Sequence, residues 1–145
     1  MAEITQPGPE LMAQIARYQA DACEHLELDP AQAPLVLVTA IHDYLAGLKE
    51  NGGELEPDLT MALGLLLGEQ FVRAFGWHWR QAAYGSAAVQ TCIVAPGNLV
   101  AADAPGWVGD ILLSERECNI LAAFERVAAG ILPRAEAGRA GVFHF

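Results

Sequence analysis

Residues 63–79 read LGLLLGEQFVRAFGWHW, and this run decides the fold. Leu59, Leu63, Leu66, Leu67, Phe71 and Phe75 recur at intervals of three and four, the spacing of one apolar helical stripe. Pro57 suits a first helical turn, where its missing N–H has no partner to lose. Gly76 suits the left-handed cap that ends such a helix. Beyond it, Trp77 and Trp79 alternate with His78 and Arg80, the two-residue period of a strand. The stretch predicts a buried helix, stopped by a glycine, that turns directly into a tryptophan-bearing strand.

Gly64 and Gly68 stand inside the helical half, where each costs about 1 kcal/mol against alanine. Four residues apart, they share a face and bare the backbone there, which predicts close approach of another element. A competing reading is a ligand pocket lined by Gly64, Gly68, Glu69 and Trp77, making the chain a small regulatory module. A third pairs Glu69 with His78 across Gly76 as an acid–base couple. Against that couple, Glu69 has Arg73 one helical turn on, and His78 falls on the strand face away from the tryptophans.

The pattern LGxxxGExxxxxxGWxW, followed by a hairpin ending Ile93-Val94-Ala95-Pro96, resembles domain of unknown function 3806, a widespread group of uncharacterised bacterial domains. The resemblance spans residues 59–113. It brings no established activity. Similar modules occur as free-standing proteins and near toxin–immunity clusters, so the resemblance implies a non-catalytic partner protein.

Upstream, residues 1–8 read as a loose arm. Pro9-Glu10 opens a helix carrying Leu11, Ile15, Tyr18, Ala22 and Leu26 at helical spacing. A second helix runs from Leu35 to Lys49 and ends at Asn51-Gly52-Gly53. It is apolar on most sides, which predicts a central position. Downstream, Gly85-Ser86 predicts a two-residue hairpin turn between residues 77–84 and 88–94. That turn sets Trp79 opposite Cys92 and Trp77 opposite Val94, with all four facing the helices. Leu99 to Ala101 is a short third strand, and Trp107 to Leu112 a short helix. Ser114 and Glu117 form a capping box for a last helix that buries Ile120, Leu121, Phe124, Val127 and Ile131 and stops at Pro133. Residues 134–145 are a tail whose apolar end, Val142-Phe143-His144-Phe145, docks either on its own domain or on a neighbour. The fold class is α+β: a single domain over residues 9–133, with helices packed against a small antiparallel sheet built on the hairpin.

Length and composition agree with one core: 145 residues, 53% of them apolar, are too hydrophobic for disorder. No apolar run approaches the ~20 residues that span a bilayer. The first eight residues have neither a basic nor an apolar segment of the signal-peptide kind. Cys23, Cys92 and Cys118 are three and widely spaced, which predicts free thiols in a reducing cytoplasm rather than a disulfide framework.

Charge is the one functional signal with arithmetic behind it. Eighteen acids against eight bases give −10, and residues 1–60 carry eleven of the acids and only Arg17 and Lys49 as bases. Without clustered cations, nucleic-acid and anionic-membrane binding are both disfavoured. Asp21, Glu24, Glu27 and Asp29 gather at the end of the first helix, and Glu50, Glu54, Glu56 and Asp58 at the end of the second. Carboxylates at helix C-termini oppose the dipole, so a basic protein partner is the reading that accounts for keeping them there. Phosphate-loop, dinucleotide and nucleophile-elbow motifs are absent from the sequence. Cys23 and His25 diverge by about 200° around a helix and cannot share a metal. The expectation is a non-catalytic cytosolic binding protein of immunity or inhibitor type, using neither metal nor cofactor and masking a basic partner through an acidic surface.

Overall fold

The computed structural model describes residues 3–83, 89–98, 100–114, 117–131 and 142–143. Its axis is helix α3, Pro57–Phe75, with Pro57 in the first turn and Gly76 closing the end at φ +72°, its N–H bonded to the Val72 carbonyl at 3.1 Å. Every residue from Ala62 to Gly68, with Gln70 and Phe71, is buried. The predicted stripe is therefore a helix covered almost all round. α1 (Pro9–Leu26) lies on it through Ile15 and Ala22. α2 (Pro34–Glu50) lies on it through Val38, Ile41 and Leu45. The central position expected of α2 thus belongs to α3: Leu35 and Val36 of α2 are exposed, and only one face of that helix is buried.

Phe71 joins the layers. Its ring meets Trp77 at 5.5 Å, Phe124 at 5.5 Å, Trp107 at 6.2 Å and Phe75 at 5.7 Å, mostly edge to face. Edge-to-face contact sets positive ring edges against negative faces and adds to the burial of area. Gln70, 1% exposed, is satisfied: its Nε2 donates to the Leu66 carbonyl and its Oε1 accepts from Arg73.

The sheet runs β1 (Glu3–Thr5), β2 (His78–Ala83), β3 (Gln90–Val94), β4 (Ala101–Ala102), each antiparallel to the next. β5 (Val142–Phe143) lies parallel along β4. The α+β expectation holds, with three corrections. Residues 3–5 are not part of a loose arm: they pair with Gln81 to Ala83, occupying the outer edge of β2, and Ile4 covers a small apolar patch of Ala82, Cys92, Val94 and Ala101.

The hairpin register is the second. Trp79 stands opposite Ile93, and Arg80 opposite Cys92, one residue away from the pairing that a two-residue Gly85-Ser86 turn imposes. A slip of one residue moves a whole set of side chains to the other face. Trp79 and Ile93 face the helices, whereas Cys92 and Val94 belong to the patch on the reverse face. The turn itself lies outside the described residues, as do the Pro133 stop and most of the tail.

The third correction concerns the last helix. The Ser114–Glu117 capping box is unused. Ser114 terminates α4 (Ala104–Leu113), and α5 is the shorter Ile120–Ala128. The site of the cap is supplied from a distance, since His42 Nδ1 on α2 accepts the Leu121 N–H at 3.4 Å. Asn119, the residue before α5, instead accepts the Trp107 indole N–H through Oδ1 at 2.9 Å. Among the described residues, no helix is long and apolar enough to cross a membrane.

Both helical glycines sit under close neighbours. A Cβ on Gly64 would meet Pro105 N at 2.5 Å and Ala104 C at 2.9 Å; a Cβ on Gly68 would meet the Trp79 ring at 2.7 Å and Ile93 Cγ2 at 3.3 Å. Propensity alone predicts that alanine stabilises either position by about 1 kcal/mol. Overpacking predicts the opposite by about 1–3 kcal/mol. We expect Gly64→Ala and Gly68→Ala both to lower stability in denaturant unfolding. Gly64→Ala is the worse, because its obstacle is backbone and cannot rotate away.

Cys92 generates a pH prediction. Burial, then the charge of Asp103, pushes its thiol up from 9.0 to about 11, partly offset by Arg80. The unfolded chain therefore loses this proton at lower pH than the folded chain. The stabilisation is full below pH 9 and drains away as pH rises toward 11. Urea midpoints measured across that window should fall, and Cys92→Ala should fall less steeply than the parent.

Candidate functional site

Glu69 is half-buried, and one of its oxygens takes two hydrogen bonds. Its Oε2 accepts Gln19 Nε2 from α1 at 3.0 Å and the Trp79 indole N–H from β2 at 3.1 Å, while Gln19 Nε2 also reaches the Leu65 carbonyl at 3.2 Å. Arg73, one turn on, turns elsewhere: its guanidinium donates to Gln70 Oε1 and to the carbonyls of Pro30 and Gln32. Glu69 is thus a polar rivet between α1, α3 and β2. His78 is exposed and alternates to the face opposite Trp79, and no hydrogen bond joins it to Glu69 among the described residues. The acid–base couple is not assembled.

The pocket expected beside Gly64, Gly68 and Glu69 is also absent. Its space is taken by the chain at Ala104-Pro105 over Gly64 and by Trp79 over Gly68. Trp77 packs on Phe71, 2% exposed. The glycines serve close packing, and that use consumes the room a ligand needs.

The acidic residues fare differently. Asp21 on α1 meets Glu54, Glu56 and Asp58 around one groove of about 600 Å³, floored by Leu55, Leu59 and Ala62 and bounded by Tyr18, His25 and Tyr44. His25 Nε2 and the Tyr44 hydroxyl are hydrogen-bonded at 3.0 Å across it. Glu24 and Glu27 are exposed at the end of α1 but do not line this groove. Glu27 occupies the left-handed C-cap at φ 56°, a position that favours glycine. The dipole argument needs correction for three of the acids. Glu56 is the N-cap of α3 and Asp58 lies in its first turn, with Glu54 just before them, so these carboxylates stand where the dipole favours negative charge.

A larger groove of about 920 Å³ lies on the other side of the Glu54-Leu55 loop, between α3, α4 and β3. Its walls include Leu55, Met61, Val89, Thr91, Gly109 and Leu113. Lys49, its one cation, spends its ammonium on the carbonyls of Ile111 and Ser114, where α4 ends. Sequence reading missed this groove because its walls come from three separate stretches, residues 49–61, 89–91 and 103–114, with no motif linking them.

One thiol–imidazole contact exists, Cys118 Sγ to His42 Nδ1 at 3.4 Å. Burial pushes this thiol up, against the lowering effects of the Ile120 N–H and Lys49. His42 Nδ1 already accepts the Leu121 N–H, and neither groove includes the pair. The contact is read as part of the α2–α5 packing. No group of three or more His, Cys, Asp or Glu able to hold a metal occurs among the described residues.

Compared with known proteins, the chain stands apart: no family model, no curated protein and no solved structure matches it.

Glu69 yields a sharp pair of variants. Glu69→Gln keeps an oxygen acceptor for the Trp79 N–H, whereas Glu69→Leu strands that donor at a cost of about 1–3 kcal/mol. Thermal unfolding should therefore separate the two, with the leucine variant clearly the less stable.

Proposed function

We propose that this chain is a non-catalytic cytoplasmic binding protein of inhibitor or immunity type, which masks a basic protein surface. The observation that supports the reading is the convergence of Asp21, Glu54, Glu56 and Asp58, from two separate stretches of the chain, around one groove with an apolar floor. Among the described residues, no lysine or arginine lines that groove. Aromatic walls from Tyr18 and Tyr44 would pack on the stems of incoming lysine or arginine side chains while the carboxylates take the charged ends. Membership of domain of unknown function 3806 is part of the same proposal. The enzymatic alternative has lost its residues, because Glu69 and His78 stay apart. The small-molecule alternative has lost its place at Gly64 and Gly68.

The test begins with partner capture, followed by association kinetics across salt. Electrostatic steering predicts an association rate that falls steeply as salt rises. A variant carrying Asp21→Asn, Glu54→Gln, Glu56→Gln and Asp58→Asn should associate more slowly at low salt and show a flatter salt dependence. Equal rates for parent and variant at every salt concentration would reduce the acids to a solubilising surface.

A further inference from the structure

The larger groove holds an interrupted sheet edge. β4 covers β3 only at Ile93 and Val94, because the chain leaves the sheet at Asp103 and enters α4 at Ala104. The Ala95 N–H bonds the Val100 carbonyl at 2.8 Å, which places the backbone groups of Ala95 on the β4 side. Backbone direction repeats every second residue along a strand, so Ile93 and Thr91 present their N–H and C=O to the same side. For Ile93 the partner is Ala102. For Thr91, one step further, no described residue takes up either group. An unpaired edge of this kind is a template for another strand.

What lies beside the edge defines what fits there. Thr91, paired with Gln81, shares the helix-facing side with Trp79 and Ile93, and the alternation carries Val89 to that side too. Val89 is 56% exposed, Met61 39% and Leu113 88%, so apolar side chains stand open around the groove. Glu54 and Asp103 line it against Lys49 alone, and the Lys49 ammonium is already bound to carbonyls.

We propose that this groove takes an extended peptide segment of a partner protein, added as a strand to β3 at Thr91. Its alternate side chains enter the groove, apolar ones against Val89, Met61 and Leu113 and a basic one against Glu54. Backbone pairing supplies affinity in such additions, and side-chain pockets supply the choice of sequence. A second copy of this chain is disfavoured as occupant by its charge of −10. The proposal deepens the protein-binding reading: Glu54 and Leu55 line both grooves, so one basic partner would cover the acidic groove while its strand enters this one.

The probe is a synthetic peptide alternating lysine and valine over eight residues, beside the same peptide N-methylated at alternate amides in each phase. Gly109→Leu is aimed at filling the groove: a Cβ there meets nothing nearer than Thr60 Cγ2 at 3.8 Å, and an unchanged thermal midpoint checks that the fold is kept. The expected result is binding by fluorescence anisotropy that weakens roughly tenfold or more on N-methylation in one phase and in Gly109→Leu. Hydrogen exchange at the Thr91 amide should slow when peptide is added. Three results would overturn the strand addition: no binding, binding indifferent to both N-methylation and Gly109→Leu, or self-association of the chain that Gly109→Leu abolishes. The masking function fails separately, through the salt series with the four acidic-groove substitutions, and can survive each of these three.

Discussion

Two missing methyl groups set the geometry of this domain. At Gly64 the chain at the start of α4 rests on the backbone of α3, and at Gly68 the ring of Trp79 does the same. A helix wrapped by four other elements needs places where its neighbours can come nearer than side chains permit, and glycine at four-residue spacing supplies two such places on one face. Their cost in helix propensity is offset by contacts that close the interior without voids. The hydrogen bond from Trp79 to Glu69 fixes the ring that lies over Gly68, and Gln19 ties the same carboxylate to α1. Polar and apolar packing here form one joint.

That economy keeps the conspicuous residues inside the fold. Glu69, the tryptophans and the glycines form the most distinctive pattern in the sequence, and the structure spends all of them on cohesion. The surfaces that remain open are built from less distinctive material: a loop between two helices, the last residues of a strand, the end of a short helix. The Glu54-Leu55 loop lines both grooves, the acidic one and the larger, more apolar one.

Local patterns were legible where one element decided them. The periodicity from Leu59 to Phe75, the stop at Gly76 and the alternation at Trp77 and Trp79 are each set by neighbours in sequence, and each is observed. The acids at residues 21 and 54–58 were legible as composition, though their relation to the α3 dipole was not, since that depended on where the helix began. The observed pairing of Trp79 with Ile93 differs by one residue from the register that Gly85-Ser86 suggested, because a dipeptide turn signal does not by itself fix a register. The capping box at Ser114 was a sound local signal overruled by distant ones: α4 runs to Leu113, Lys49 binds its end, and His42 takes over capping of α5. The large groove was illegible because residues 49–61, 89–91 and 103–114 meet there only in the folded chain.

The burial of α3 has a consequence in time as well as space. Its glycine notches are filled by Trp79, eleven residues beyond Gly68, and by Pro105, forty-one beyond Gly64. The first three helices therefore precede in the chain the pieces that cover them, and α3 is uncovered on one side until those pieces are in place. The charge of residues 1–60 accompanies the chain through that same interval. Like charges repel, and a chain at that stage carries eleven acids against two bases in residues 1–60 beside its uncovered apolar face.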